Sequence, residues 1–180
     1  MPGLSSGIAG CAAVLAAVGA LSFGLPAIDR AIPPQRVLPS TKPLAIGEGV
    51  TITPPAGTAI DARGTVPGIN RVLLVTDGID YRIQAFPYAG PLSALAADLR
   101  REVSGQRGPQ AMGDEADVET RDGVAGRAAQ YTDVDGHGGW YAAYLDSGVA
   151  TYVVVTGATA NLVRDGAEIR DSLATLRFGR

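Results

Sequence analysis

Cysteine, histidine, tryptophan and lysine each occur once in 180 residues, as Cys11, His137, Trp140 and Lys42. A lone cysteine rules out an intramolecular disulfide. One cysteine and one histidine leave zinc without its usual nitrogen and sulfur ligands. The sequence has no G-x-S-x-G, no P-loop and no G-x-G-x-x-G, so the motifs of a hydrolase elbow, a nucleotide cradle and a dinucleotide fold are all missing. No basic stripe exists and the net charge is −3, which argues against a nucleic-acid partner. Charge is also lacking in one place: no Lys, Arg, Asp or Glu precedes Asp29.

That uncharged start holds the first positive signal. Ile8 to Ile28 reads IAGCAAVLAAVGALSFGLPAI, about 20 apolar residues, enough to cross a hydrocarbon core of about 30 Å as a helix. Residues 1–7 are a short flank, residues 8–28 a single transmembrane helix and residues 29–47 a proline-rich tether holding Pro33, Pro34, Pro39 and Pro43. Residues 48–180 are the cargo. A cleaved signal peptide is the alternative, but the apolar run exceeds its usual length and no basic side chain precedes it. A lipobox at Ile8-Ala9-Gly10-Cys11 has the order reversed, with the apolar run after the cysteine. Ala12, Ala16, Ala20 and Gly24 fall four apart on one helix face, so a second copy could pair through the anchor. Arg30, Arg36 and Lys42 would hold their flank in the cytoplasm. The extended tether suits a domain lifted off the membrane, and the expectation is a single-pass plasma-membrane protein with an extracytoplasmic domain.

Within 48–180 the period changes. Val50–Thr53, Arg71–Thr76, Ile79–Phe86, Ala116–Thr120, Val124–Thr132, Trp140–Leu145 and Val149–Thr156 read as strands. Asp77-Gly78, Asp122-Gly123 and Asp146-Ser147-Gly148 are turn signals between antiparallel neighbours. Residues 55–70 and 104–113 read as loop. Leu92, Leu95, Ala96, Leu99 and Val103 stripe a helix from Pro91 to Val103, and Leu162, Ile169, Leu173 and Leu176 stripe another from Ala160 to Leu176. Val149–Val155 is apolar on both faces, which places it centrally in a sheet. The pattern predicts an α+β fold, a mostly antiparallel sheet with two helices in an αβα sandwich, preceded by the transmembrane helix.

The order of motifs is Pro55-Ala56-Gly57 after the entry strand, Leu92-x-x-Leu95, then Gly123-x-x-Gly126-Arg127-Ala128. A Trp/Tyr strand follows, and then Ile169-x-x-Ser172-Leu173 ahead of Phe178. Over residues 48–178 this is similar to the PsbP/Mog1/DcrB-like αβα sandwich family, in particular to its membrane-anchored bacterial members. Ala-, Gly- and Val-rich composition with arginine in place of lysine fits a GC-rich, actinobacterial type of genome. The resemblance implies a non-catalytic binding or accessory module, not an enzyme, and implies no fixed ligand residues.

Candidate chemistry is sparse. His137 sits in the turn Asp133–Gly139 with no partner in sequence. Asp133, Asp135 and Gly136 match half of a calcium loop whose remaining ligands are missing. Asp114, Glu115, Asp117 and Glu119 alternate as they would on a soluble sheet edge. No catalytic, cofactor or metal residue is assigned. The candidate binding surface is Trp140, Tyr141, Tyr144 and Tyr152, which also suit core packing. The expected partners are the bilayer, through residues 8–28, and a protein or envelope component. A small-ligand or lipid carrier is the alternative and needs an apolar pocket between sheet and helix. A hydrolase would need Asp133 and Asp135 to converge in a cleft.

Overall fold

The tight turns set the architecture. In the computed structural model, Asp77 and Gly78 have φ of 48° and 76°, and Ser147 and Gly148 of 48° and 83°. Left-handed conformation at both central residues gives the twist that flanking antiparallel strands need. Glu48 and Gly49, at 50° and 77°, make a third such turn that the sequence reading did not single out. The structure describes residues 35–38, 42–106, 111–132 and 137–179. The transmembrane expectation for residues 8–28, Cys11, Asp133 and Asp135 lie outside them.

The strands are β1 Gln35–Val37, β2 Leu44–Gly47, β3 Val50–Ile52, β4 Ala59–Val66, β5 Arg71–Thr76 and β6 Ile79–Pro87. They continue as β7 Ala111–Met112, β8 Ala116–Glu119, β9 Ala125–Thr132, β10 His137–Asp146, β11 Val149–Ala158 and β12 Arg177–Phe178. The helices are α1, Leu92–Gln106, and α2, Thr159–Leu173. Nine strands form one antiparallel sheet in the order β1-β4-β5-β6-β11-β10-β9-β7, with β8 also on β9. A small sheet runs β12-β3-β2. Strand β11 is central, between β6 and β10, as its double-sided apolarity predicts.

The two faces of the large sheet carry separate cores. On one, Leu95, Ala96, Leu99 and Val103 of α1 pack on Ala129, Tyr131, Tyr141, Ala143, Ala150 and Val154. On the other, Ile169, Leu173 and Leu176 join Ile46, Val50 and Ile52 of the small sheet over Leu74, Ile79, Tyr81, Ile83, Val153 and Val155. Helix, sheet, and helix with small sheet make the αβα sandwich. Among the described residues, both cores and the apolar residues packed against them come from residues 38–178. The unit Gln35–Arg180 thus holds hydrophobic cores of its own, as an independently folding domain does.

Three differences from the sequence reading have physical causes. Residues 55–70, read as loop, hold β4 and a 3₁₀ turn at Pro67–Ile69. Strand β4 lacks the alternation of burial that would betray it, and its register on β5 shifts between Asp61 and Val66. Residues 29–47, read as tether, contain β1 and β2. Among the described residues strand β1 pairs only with β4, at the edge of the sheet. The second helix stops at Leu173, and Leu176 reaches the core from the turn beyond it. Among the described residues no helix is long and apolar enough to cross a membrane.

One buried polar spot stands out in the second core. The Tyr81 hydroxyl is buried without a hydrogen-bond partner. Burial pushes it up to about 12, offset in part by the Thr58, Ser172 and Thr76 hydroxyls beside it. Thr58 and Thr76 bond each other instead, Oγ1 to Oγ1 at 2.7 Å, and the Ser172 hydroxyl donates to the Thr53 carbonyl at 2.7 Å.

Candidate functional site

Helix α2 and the small sheet leave the outer part of their sheet face open, over β8, β9 and the near side of β10. Register places the side chains there in rows. Ala116, Ala128 and Ala142 stand in line across β8, β9 and β10. On one flank Gln130 pairs with Trp140, and on the other Val118 lines up with Gly126 and Tyr144. A row of methyl groups between two taller rows is a trough. Leu173, Ala174 and Arg170 of α2 and the turn after it form its inner wall, and Asp114 and Glu119 stand at its rim. The space enclosed is about 310 Å³, at the small end of ligand pockets.

Each wall is shaped by a glycine. A Cβ on Gly126 would come within 2.5 Å of the Tyr144 ring, so only glycine lets that ring lie down on β9. A Cβ on Gly166 would meet the Trp140 ring at 3.3 Å, and α2 therefore sits tight against the indole. The Arg170 guanidinium carbon is 5.4 Å from the Trp140 ring centroid, within cation–π range. Burial raises the Tyr144 hydroxyl above its ordinary value. The trough can thus offer an apolar floor, two aromatic flanks and one oriented cation.

The four aromatic residues read from sequence do not form one patch. Trp140 and Tyr144 flank the trough. Tyr141 and Tyr152 point to the other face, in and against the core under α1. The Tyr152 hydroxyl donates to the Leu95 carbonyl at 3.2 Å, and its ring meets Phe86 edge-on at 4.9 Å. Burial, then Asp98 and Glu102, push Tyr152 up to about 12. The Tyr141 hydroxyl donates to Glu115 at 3.3 Å, and burial foremost raises it too. Both are packing residues of α1. Strand alternation separates the two pairs, whereas Ala116, Val118, Ala128, Gln130 and Arg170 were missed. Their only trace in sequence is small residues at matched offsets around the Arg121–Gly123 turn.

The acidic run also divides. Glu115 is drawn under α1, 3.8 Å from Arg100 and 3.5 Å from Arg127, while Asp117 is exposed beside Arg127 at 3.7 Å. Among the described residues strand β8 pairs only with β9, so Asp117 and Glu119 sit on a sheet edge, while Asp114 and Glu115 precede the strand. Among the described residues no group of three or more His, Cys, Asp and Glu could hold a metal ion. His137 is exposed at the start of β10.

No family model matches the chain, and no curated protein does. Among solved structures it is similar to cyanobacterial PsbP (CyanoP) from Synechocystis, with a TM-score of 0.53 and 11% identity over 82% of this chain and 94% of that one. A Pseudomonas aeruginosa protein of unknown function, described as a putative regulator, aligns at a TM-score of 0.46 and 14% identity over 57% of this chain and 76% of its own. A Bacteroides thetaiotaomicron protein aligns at 0.38 and 14%, over 75% and 47%. The last two scores are too low to bear on the fold. The first supports a PsbP-like fold and, at that identity, nothing finer.

Proposed function

We propose that the chain is a membrane-anchored, non-enzymatic binding module, an accessory domain held on the outer side of a plasma membrane by residues 8–28. The observation that carries the binding half is the trough. It is concave and apolar, with an arginine over an aromatic ring, and among its described lining residues there is no Ser, Thr, Cys or His. Such a lining supports holding a partner more than transforming it. The PsbP-like fold supports an accessory role. The uncharged Ile8–Ile28 run supports the anchor, and the chain from Gln35 onward supplies a domain to be anchored. A protein or envelope component is the expected partner.

The carrier reading gains from the same geometry, since a space of about 310 Å³ lies where it requires one, between sheet and helix. The hydrolase reading gains no support, since its two carboxylates, Asp133 and Asp135, lie outside the described residues.

Carbonate washing tests the anchor. The full chain is expected to stay with the membrane pellet, and a chain beginning at Gln35 to move wholly to the supernatant. Release of the full chain without detergent would sink the anchored half of the reading and leave the trough untouched.

A further inference from the structure

The trough's three charges are not equivalent. Asp114 and Glu119 are exposed at the rim. Asp114 lies on the connection between β7 and β8, next to Gly113, whose N–H donates to the Gln130 carbonyl at 2.8 Å. Arg170 stands on the wall, its guanidinium carbon over the Trp140 ring and 5.4 Å from the centroid. It makes no ion pair with any described carboxylate. A guanidinium placed over an indole by cation–π attraction keeps N–H donors for a planar carboxylate. The rotamer freedom lost on binding is then already partly lost.

The floor points to the rest of the ligand. The methyls of Ala116 and Ala128 stand accessible in line with the nearly buried Ala142, a surface flat at the scale of a ring system, and the half-buried Trp140 offers an aromatic contact at one side. The rim carboxylates would repel an anion left at the mouth, which orients such a molecule with its acid inward.

We propose that the trough binds a flat, aromatic monocarboxylate, its ring system on Ala116, Ala128 and Ala142 and its carboxylate on Arg170. This rests on the carrier reading above and names its ligand class.

Naphthalene-2-carboxylate is the probe, with the neutral naphthalene-2-carboxamide and the cationic 2-naphthylmethylamine as comparators. Calorimetric titration of Gln35–Arg180 gives affinities. The Trp140 indole N–H, a single cross-peak in a chain with one tryptophan, reports the place. The carboxylate is expected to shift that cross-peak and to bind at least about tenfold more tightly than the amide, the scale of a charge-assisted bond. Arg170→Gln should remove that preference and leave amide binding unchanged. Ala116→Leu fills the floor at an exposed position, so it should weaken both ligands without lowering the thermal midpoint. Equal binding of carboxylate and amide, tighter binding of the amine, an unmoved Trp140 cross-peak, or an Arg170→Gln protein that keeps its preference would each overturn the proposal. None of these results would by itself remove the trough as a binding surface for a different partner.

Discussion

Gly139→Ala is expected to cost about 3 kcal/mol, the upper part of the range for forcing atoms into a packed interior. Gly139 is buried on β10, one of the strands flanking the central β11. A Cβ there would lie 1.8 Å from the Val155 carbonyl oxygen and 3.0 Å from the Tyr131 hydroxyl. Neither neighbour can swing away. The carbonyl is backbone, and the Tyr131 hydroxyl already donates to it at 2.8 Å and contacts the Thr156 hydroxyl at 2.6 Å. The strands must part or the Tyr131 bond must break, in the middle of the sheet that supports both cores. Gly68→Ala is the control. Nothing lies within 4 Å of its Cβ position, and no change larger than about 1 kcal/mol is expected, with the sign favouring the alanine. Urea unfolding of the two variants side by side checks the contrast. A Gly139→Ala protein as stable as Gly68→Ala would mean the β10–β11 pairing is not as close as described.

The second large effect lies in alkaline solution. Tyr81 is held up to about 12 by burial, against an ordinary value of 10.0. Below the ordinary value both folded and unfolded chains keep the phenol proton, and the group favours neither. Between 10 and about 12 the unfolded chain loses its proton and the folded chain cannot, so folding stability falls as pH rises through that window. The span corresponds to roughly 2–3 kcal/mol at 1.36 kcal/mol per unit. Tyr81→Phe should abolish this decline. Because the hydroxyl has no hydrogen-bond partner, the same variant should be within about 1 kcal/mol of the parent at neutral pH, or better. Unfolding midpoints measured from neutral pH to about pH 12 decide it. Parallel alkaline declines in parent and variant would refute the assignment. Tyr152 shares the direction, but its partial exposure lets solvent screen the effect, so it is the smaller contributor.

The sequence showed more of the fold than of the site because the two depend on different signals. Helices α1 and α2, the turns at Asp77-Gly78 and Ser147-Gly148 and the central place of β11 all rest on local period or on left-handed turn residues. Those are legible without any partner strand. Strand β4 was not legible, since its alternation is broken by the register shift on β5, and neither were β1 and β2 among the prolines. The trough needs three strands in register and a helix that stops short of the sheet edge. Alternation along β10 puts Trp140 and Tyr144 on one face and Tyr141 on the other. It could not say that Ala116 and Ala128 would line up with Ala142, nor that Arg170 would reach the indole. Those are contacts between residues far apart in the chain, and no local period encodes them.

The most direct measurement is a map of where small molecules touch the domain, made on alanine-methyl-labelled Gln35–Arg180 with a mixed panel of neutral, anionic and cationic fragments. If the open face between α2 and β8 is where this protein meets its partner, hits should move the methyls of Ala116, Ala128 and Ala142 and leave those of Ala96, on α1, and Ala143, beneath it, in place. Shifts confined to the α1 side, or a panel that moves no methyl of the alanine row, would contradict it.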